Sequence, residues 1–282
     1  MDIRIAKKDN IDGLYKLWQE CFGDSKEIID MFFKSSFHLD NTVVCVDDNN
    51  IVAMAYMLEE SIFINGIKYS AYYLYALATT QSYRKKGIMA QVIEYIIKLS
   101  VNRNIDYLFL VPASEKLFNY YKKFGFQNAF CQKKIVITRE VLNFMKDNEC
   151  LENINFDIDF YYDTRYKKLE KTSFVDWNKS ELELARNYFS SASGETILTS
   201  QGAFFVEHTK NCDKVYDLTI SDIDKALSTI GNYVISDKIE LYVSKNFPLI
   251  SANQQYYDCG MVKKLKPNLE DLKDTFMGIT LQ

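Results

Sequence analysis

Apolar and polar residues alternate from Asp2 to Ala6, which predicts a short strand. Leu14, Leu17, Trp18 and Cys21 then recur at helical spacing, and a second short helix fits Lys26 to Phe33. Thr42 to Val46 and Ile51 to Leu58 flank Asp47-Asp48-Asn49-Asn50 and predict a hairpin. Ser61 to Ile64 and Ile67 to Ser70, joined by Asn65-Gly66, predict another with a tight turn. Ala71 to Ala78 is a strongly apolar strand, and Ile88 to Ser100 has the pattern of a helix. Tyr107 to Val111 is apolar on both parities, as a central strand covered on both faces must be. Pro112 ends it, Ser114 is placed to cap a helix from Glu115 to Phe124, and Gly125 marks the stop. Phe130 to Thr138 is again a strand. The first stretch thus predicts a mixed α/β unit built on a single sheet.

The remainder reads as a second unit. The boundary falls near residues 138–160, which divides the chain into residues 1–140 and 150–282. Lys179 to Phe189 is helical in pattern. Thr196 to Leu198 and Ala203 to Glu207 flank the turn Ser200-Gln201-Gly202. Ser221 is the expected cap of a helix carrying Ile223, Leu227, Ile230 and Val234, and Ile239 to Val243 is a strand. There is also an internal echo. YLFLVPASEKLFNYYKKFGF reads strand, break, helix, Gly-Phe, and IELYVSKNFPLISANQQYYDCGM reads strand, break, helix, Gly-Met.

Composition narrows the function. The chain has 282 residues, 48% of them hydrophobic, enough for a sizeable core and for more than one domain. A net charge of −4 argues against a general nucleic-acid binder, so no nucleic acid is expected as a partner. No apolar run reaches the ~18–20 residues of a membrane span, and the first residues carry no signal-peptide core. The expectation is a cytoplasmic protein with no membrane partner. The six cysteines form no Cys-x-x-Cys and the histidines are only His38 and His208, so no metal site is expected. With 20 Tyr and 19 Phe, some aromatic rings are expected to line a pocket.

One stretch breaks a local rule. Arg84-Lys85-Lys86-Gly87 stands immediately before the helix that begins at Ile88. Cations at a helix start oppose the dipole, at a cost of roughly a few tenths of a kcal/mol each. A bound polyanion reverses that sign, because a helix start also offers unpaired N–H groups. Gly87 lets the backbone approach such a ligand, and the pattern is that of a diphosphate site.

Arg84-Lys85-Lys86-Gly87-Ile88-Met89 resembles the Arg-x-x-Gly-x-Gly/Ala signature of the GNAT superfamily of N-acetyltransferases, with Met89 where Gly or Ala is usual. Tyr121 to Phe126 resembles the family's Tyr-x-x-x-Gly-Phe segment, and IRIAKKDNIDGLYKLW resembles its first strand and helix. The resemblance covers residues 1–137. The second half resembles the degenerate GNAT-like module of two-domain members. The implied fold is a GNAT-like α/β (α+β) architecture: a mixed, mostly antiparallel sheet flanked by helices, plus a second, smaller α/β domain.

The resemblance implies direct transfer of an acetyl group from acetyl-CoA to a primary amine. It gives Leu77 and Thr79 backbone contacts to the pantetheine arm, and Ala78 a place beside the developing oxyanion. It gives Arg84, Lys85, Lys86, Gly87, Ile88, Met89 and Ala90 the diphosphate, held mostly by amides. Ser114 stands where many members have a cofactor-binding Asn. Tyr121 matches the general acid, and a phenol near pKa 10 is well matched to a thiolate near about 8.5. Tyr120 points about 100° away on a helix. The related enhanced-intracellular-survival type uses its chain terminus in the active site; this chain ends Gly-Ile-Thr-Leu-Gln, without the aromatic residue of that group, and the role is not carried over.

A base must take a proton from the amine. Glu59, Glu60 and His38 are candidates, although surface charge is the simpler reading of both glutamates. Tyr72, Tyr73 and Tyr75 alternate, so one parity faces the core and the other is free to line the acceptor pocket. The acceptor is a small-molecule or peptide amine, and a homodimer is possible. The alternatives are another acyl donor, a non-enzymatic acyl-CoA-binding or sensor protein, and a scaffold with a decayed site.

Overall fold

The computed structural model describes residues 1–145, 149–191, 194–249, 253–272 and 274–279. Residues 146–148, inside the expected boundary, and 280–282, at the end of the chain, lie outside the described residues. The elements are β1 (Asp2–Ile5), α1 (Ile11–Phe22), α2 (Lys26–Ser35), β2 (Thr42–Asp47), β3 (Asn50–Ile64), β4 (Ile67–Thr79), α3 (Ile88–Asn102), β5 (Tyr107–Leu110), α4 (Glu115–Lys122) and β6 (Gln127–Thr138). They continue with α5 (Arg139–Phe144), α6 (Ile158–Leu169), β7 (Phe174–Asp176), α7 (Lys179–Ser191), β8 (Glu195–Thr199), β9 (Gly202–His208), β10 (Asp213–Tyr216), α8 (Ile223–Gly231), β11 (Lys238–Ser244) and β12 (Gln254–Lys264).

These strands form one mixed sheet in the order β1-β2-β3-β4-β5-β12-β6-β11-β10-β9-β8, with β7 on β3. Its described pairs are antiparallel except β4 with β5 and β10 with β11. Each parallel pair is joined by a helix, α3 or α8, because parallel neighbours need a crossover. The two echoed segments begin at β5 and β11, each the second strand of a parallel pair. The sheet runs without a break across the expected boundary. Strand β12, from the last part of the chain, lies between β5 and β6, and β6 lies between β12 and β11.

Helices cover both faces. On one, Leu14, Trp18 and Phe32 from α1 and α2, and Tyr161 and Leu182 from α6 and α7, pack with Tyr56, Tyr73 and Phe109. On the other, Val92, Ile93 and Ile96 of α3 and Tyr121 of α4 pack with Leu74 and Leu108. Leu142 of α5 and Leu227 of α8 pack with Ile135 and Leu241. Full burial of one such side chain contributes about 1.5–3 kcal/mol.

Several local expectations change. The two predicted hairpins share continuous strands, since β3 runs through Glu59-Glu60 and β4 through Ser70-Ala71. The glutamates read as a break because of their charge, yet their backbone pairs with Tyr72 and Ala71. The helix expected to Phe124 ends at Lys122, and Gly125 follows at φ 81°. Ser114 is at the N-cap of α4 but makes no side-chain capping bond. In α8 the cap is Asp222, not Ser221; its side chain accepts from the Lys225 N–H at 3.2 Å. The second half of the echo contains the strand β12, where a helix was expected. Alternation from Gln254 to Lys264 is masked by Tyr256-Tyr257, and its place in the sheet comes from β5 and β6.

Candidate active site

Strands β4 and β5 pair only at Ala71 with Tyr107, Tyr72 with Leu108 and Tyr73 with Phe109. Beyond that point they part: β4 continues to Thr79 while β5 ends at Leu110. The pairing of β4 with β3 is bulged here, between Tyr56–Tyr75 and Met54–Ala78, and Ala76 has φ 47°. A bulge bends its strand, so β4 turns away from β5 and opens a wedge in the sheet. Leu77, Ala78 and Thr79 lie on this open edge, Ala78 buried and the other two half-buried.

The turn after β4 is braced from α1. Both carboxylate oxygens of Glu20 accept from the Thr80 hydroxyl, at 2.6 and 2.8 Å, and one accepts from the Gln81 N–H at 2.9 Å. These bonds hold the Glu20 carboxyl below its ordinary range. Arg84 Nε donates to the Thr79 carbonyl at 2.9 Å. Lys86 Nζ lies 4.6 Å from the centre of the Tyr83 ring, whose hydroxyl donates to Asp47 at 2.8 Å.

Arg84, Lys85, Lys86 and Gly87 are exposed, and Lys85 and Gly87 have φ of 63° and 78°. The first bond into α3 is from the Gln91 N–H to the Gly87 carbonyl. Among the described residues, no protein group accepts from the N–H groups of Lys85 to Ala90. A run of unpaired N–H groups beside three cations at a helix start fits an anion. A Cβ on Gly87 would meet nothing within 4 Å. Its left-handed backbone is thus a reason for glycine apart from close approach. Met89 packs against the apolar cluster under α3.

Tyr121 stands on the same face as α3 and is 8% exposed. Its hydroxyl has no hydrogen-bond partner among the described residues. Burial, then Tyr120, pushes its phenol well above the ordinary range. Ser114 is exposed at the start of α4, with its hydroxyl free of the helix. Tyr121 thus lies on the face of the sheet that α3 covers, and Ser114 stands at the start of the helix that carries it.

Residues 2–129 match the family model described as an acetyltransferase (GNAT) domain. They form a GNAT acetyltransferase domain. Such domains are acyltransferases. Over the whole chain the fold is similar to a GCN5-related N-acetyltransferase from Anabaena variabilis, at 16% identity and TM-score 0.76, covering 94% of this chain and 73% of that one. One from Kribbella flavida gives 13% and 0.74, covering 94% and 72%. Eis1 from Mycobacterium abscessus gives 11% and 0.70, covering 94% and 74%. At these identities the likeness is one of fold. No curated protein sequence matches the chain.

On the opposite face of the GNAT domain the wedge is aromatic. Tyr73 stacks with Phe109 at 5.1 Å and with Tyr75 at 5.9 Å, and Trp177 stands edge-on to Tyr73 at 5.1 Å. Tyr72 has the other parity, and its hydroxyl accepts from Arg103 at 3.2 Å. His38 and Glu59 are exposed, and Glu59 accepts from Asn41 at 2.9 Å. Glu60 overturns the surface reading, being buried with its Oε2 accepting from the Asn178 N–H at 2.8 Å and its Oε1 unpartnered. Trp177, Asn178 and Glu181 complete this face, and sequence reasoning missed all three. The available signal was Asp176-Trp177, one of only two tryptophans in the chain, just before α7.

The second unit has no equivalent of the cationic turn. The start of α8 is filled by the Asp222 side chain and carries Asp224 in its first turn. Beside it, Tyr216 and Tyr242 stack at 4.9 Å, and with Tyr257, Phe118, Val111 and Pro112 they line a cavity of about 250 Å³ at the end of β5. Among the described residues no group of three or more His, Cys, Asp and Glu is placed to hold a metal ion. None of their helices is long and apolar enough to cross a membrane.

Proposed function

We propose that the chain moves an acetyl group from acetyl-CoA to a primary amine by direct transfer. The observation that carries this reading is the wedge between β4 and β5, with unpaired N–H groups and three cations at the start of α3 and the unpartnered Tyr121 hydroxyl on one face. The N–H groups of Lys85 to Ala90, with the side chains of Arg84, Lys85 and Lys86, bind the diphosphate. The open edge of β4 at Leu77, Ala78 and Thr79 binds the pantetheine arm, and Ser114 lies beside it. Bound acetyl-CoA supplies an activated thioester. The Ala78 region of β4 offers backbone dipoles to the charge that develops on the carbonyl oxygen.

Tyr121 supplies the proton for the leaving thiolate. A phenol held above its ordinary range stays protonated through neutral pH, so the donor is present wherever the enzyme works. The aromatic face built by Tyr73, Tyr75 and Trp177 receives the amine. The whole chain is the enzyme in this reading, with the second unit completing the sheet and walling that face.

Calorimetric titration tests it. Acetyl-CoA should bind at micromolar concentration and acetylated pantetheine, which lacks the diphosphate, far more weakly. Equal affinity for both overturns the role of the cationic turn, and binding of neither overturns the reading.

A further inference from the structure

We infer that the tyrosine-lined cavity at the end of β5 binds an aromatic ring carried by the acceptor amine, so that the second unit selects arylalkylamines. This rests on the acyl-transfer reading above. The cavity, of about 250 Å³, shares its walls with the site already described. Val111 and Pro112 continue β5 past Leu110, so the strand that forms one side of the wedge also ends in the cavity wall. Phe118 enters from α4, three residues before Tyr121, and positions three apart on a helix are neighbours. Gly278 also borders the cavity, directly after Met277, whose carbonyl accepts from the Trp177 indole at 2.7 Å. The cavity therefore lies next to both the aromatic face and the helix that carries Tyr121.

The second unit contributes a set of rings. Tyr216 and Tyr242 are the last pair of β10 with β11, and they stack at 4.9 Å with 18° between their planes. Tyr257 of β12 stands edge-on to Tyr242 at 6.1 Å. Each ring is held by its hydroxyl. Tyr216 donates to Glu207 at 2.9 Å, Tyr242 to Glu240 at 2.7 Å and Tyr257 to Gln132 Oε1 at 2.7 Å. Gln132 in turn donates to the Gly278 carbonyl at 3.0 Å, and Cys259 Sγ to the Phe130 carbonyl at 3.5 Å. Asp258, which is exposed, accepts from Asn128 at 2.7 Å. The polar groups of the walls are thus already hydrogen-bonded within the protein, and what they offer a ligand is the surface of the rings.

That chemistry suits an aromatic group better than an ammonium or a hydrocarbon chain. An ammonium that gives up its water needs charged partners, and Glu207 and Glu240 are already held by tyrosine hydroxyls and by Lys214 and Lys238. Aromatic rings prefer offset stacks and edge contacts with centroids about 4.5–7 Å apart, the arrangement the three tyrosines already have. Their hydroxyl bonds fix the rings beforehand, so little ordering is left to the moment of binding. Size agrees as well. An apolar cavity of about 150 Å³ holds a benzene ring, so one of about 250 Å³ holds a ring with a short linker. The amino group stays at the face of Tyr73, Tyr75 and Trp177, and the ring turns past Gly278 towards Tyr242.

The test is thiol release from acetyl-CoA by the full chain, with phenethylamine and butylamine as probe amines. The ratio of their kcat/KM values should favour phenethylamine by about tenfold or more. Tyr242→Leu should cut that ratio at least ~fivefold, whereas Tyr242→Phe, which keeps the ring, should hold it within about twofold. Equal kcat/KM for the two amines, or the native ratio in Tyr242→Leu, overturns the inference and leaves acetyl transfer intact. If Tyr242→Leu does not fold, Val111→Phe decides, because it narrows the cavity from the β5 wall: a ratio cut to the same degree supports the inference, and the native ratio overturns it. A second arm compares acetyl-CoA with hexanoyl-CoA at fixed butylamine. A hexanoyl preference that Tyr242→Leu abolishes assigns the cavity to the acyl chain of the donor and overturns the inference. A native chain that binds acetyl-CoA but turns over neither amine overturns it together with the acyl-transfer reading for such amines.

Discussion

Glu20 on α1 holds Thr80 through both carboxylate oxygens, at 2.6 and 2.8 Å, and so fixes the turn that leads to the three cations. The same helix carries Trp18, which packs on Tyr75 and Phe32 at the aromatic face of the wedge. Helix α1 therefore joins the cationic turn to the opposite side of the sheet. The Glu20 carboxyl is depressed in the folded protein, so its bracing is complete above the ordinary glutamate range and is lost as pH falls through the depressed range. Acetyl-CoA affinity, followed by calorimetry over an acidic pH series, should fall across that window. In Glu20→Gln the slope should flatten. Identical slopes in the two proteins would show that the brace does not reach the turn.

Gly87 should resist replacement for reasons of backbone conformation. With φ at 78° and nothing within 4 Å of an added Cβ, Gly87→Ala meets no clash but takes on about 1–2 kcal/mol of left-handed strain. Acetyl-CoA should bind about tenfold more weakly and the melting temperature should drop. Gly87→Asn should lose less, since Asn tolerates that conformation. Equal losses for both, read by calorimetry and thermal melts, would point to close approach of the ligand instead.

Tyr121 separates an enzyme from an acyl-CoA sensor. Tyr121→Phe keeps the buried ring and removes a hydroxyl that has no described partner, so folding and acetyl-CoA affinity should be unchanged. Turnover should fall by ~100-fold or more. Full turnover in a thiol-release assay would remove Tyr121 from the reaction.

Strand β12 should be indispensable to the N-terminal unit. β5 and β6 are bridged by β12, which is antiparallel to both. A chain ended before Gln254 leaves the buried edge of β5 unpaired, and a buried unpaired backbone group is costly. Circular dichroism should show loss of the cooperative thermal transition. A cooperative melt near the native temperature would mean that β5 and β6 close the gap without it.

Much of this was legible in the order of residues. Helix periodicity placed α1, α2, α3 and α7, and continuous apolarity marked β5 as buried on both faces. The cations of Arg84 to Lys86 were conspicuous because they oppose the dipole of α3. Tyr121 and Gly125 were recognisable through their spacing. All of these depend on interactions within a few residues, and local sequence carries them.

Glu60 was not legible. Adjacent glutamates have the same local pattern whether water or protein covers them, and what covers Glu60 is Asn178, 118 positions away, delivered when β7 adds to β3. The sequence by itself determined the helices, the buried strand, the cationic turn and the tyrosine of the α4 face, because backbone dihedrals and periodicity are local. Only the tertiary structure decided that β12 lies between β5 and β6, that β4 and β5 part beyond Tyr73, and that Glu60 is buried. Strand pairing between distant segments sets which side chains lose their water, and no short stretch of sequence records it.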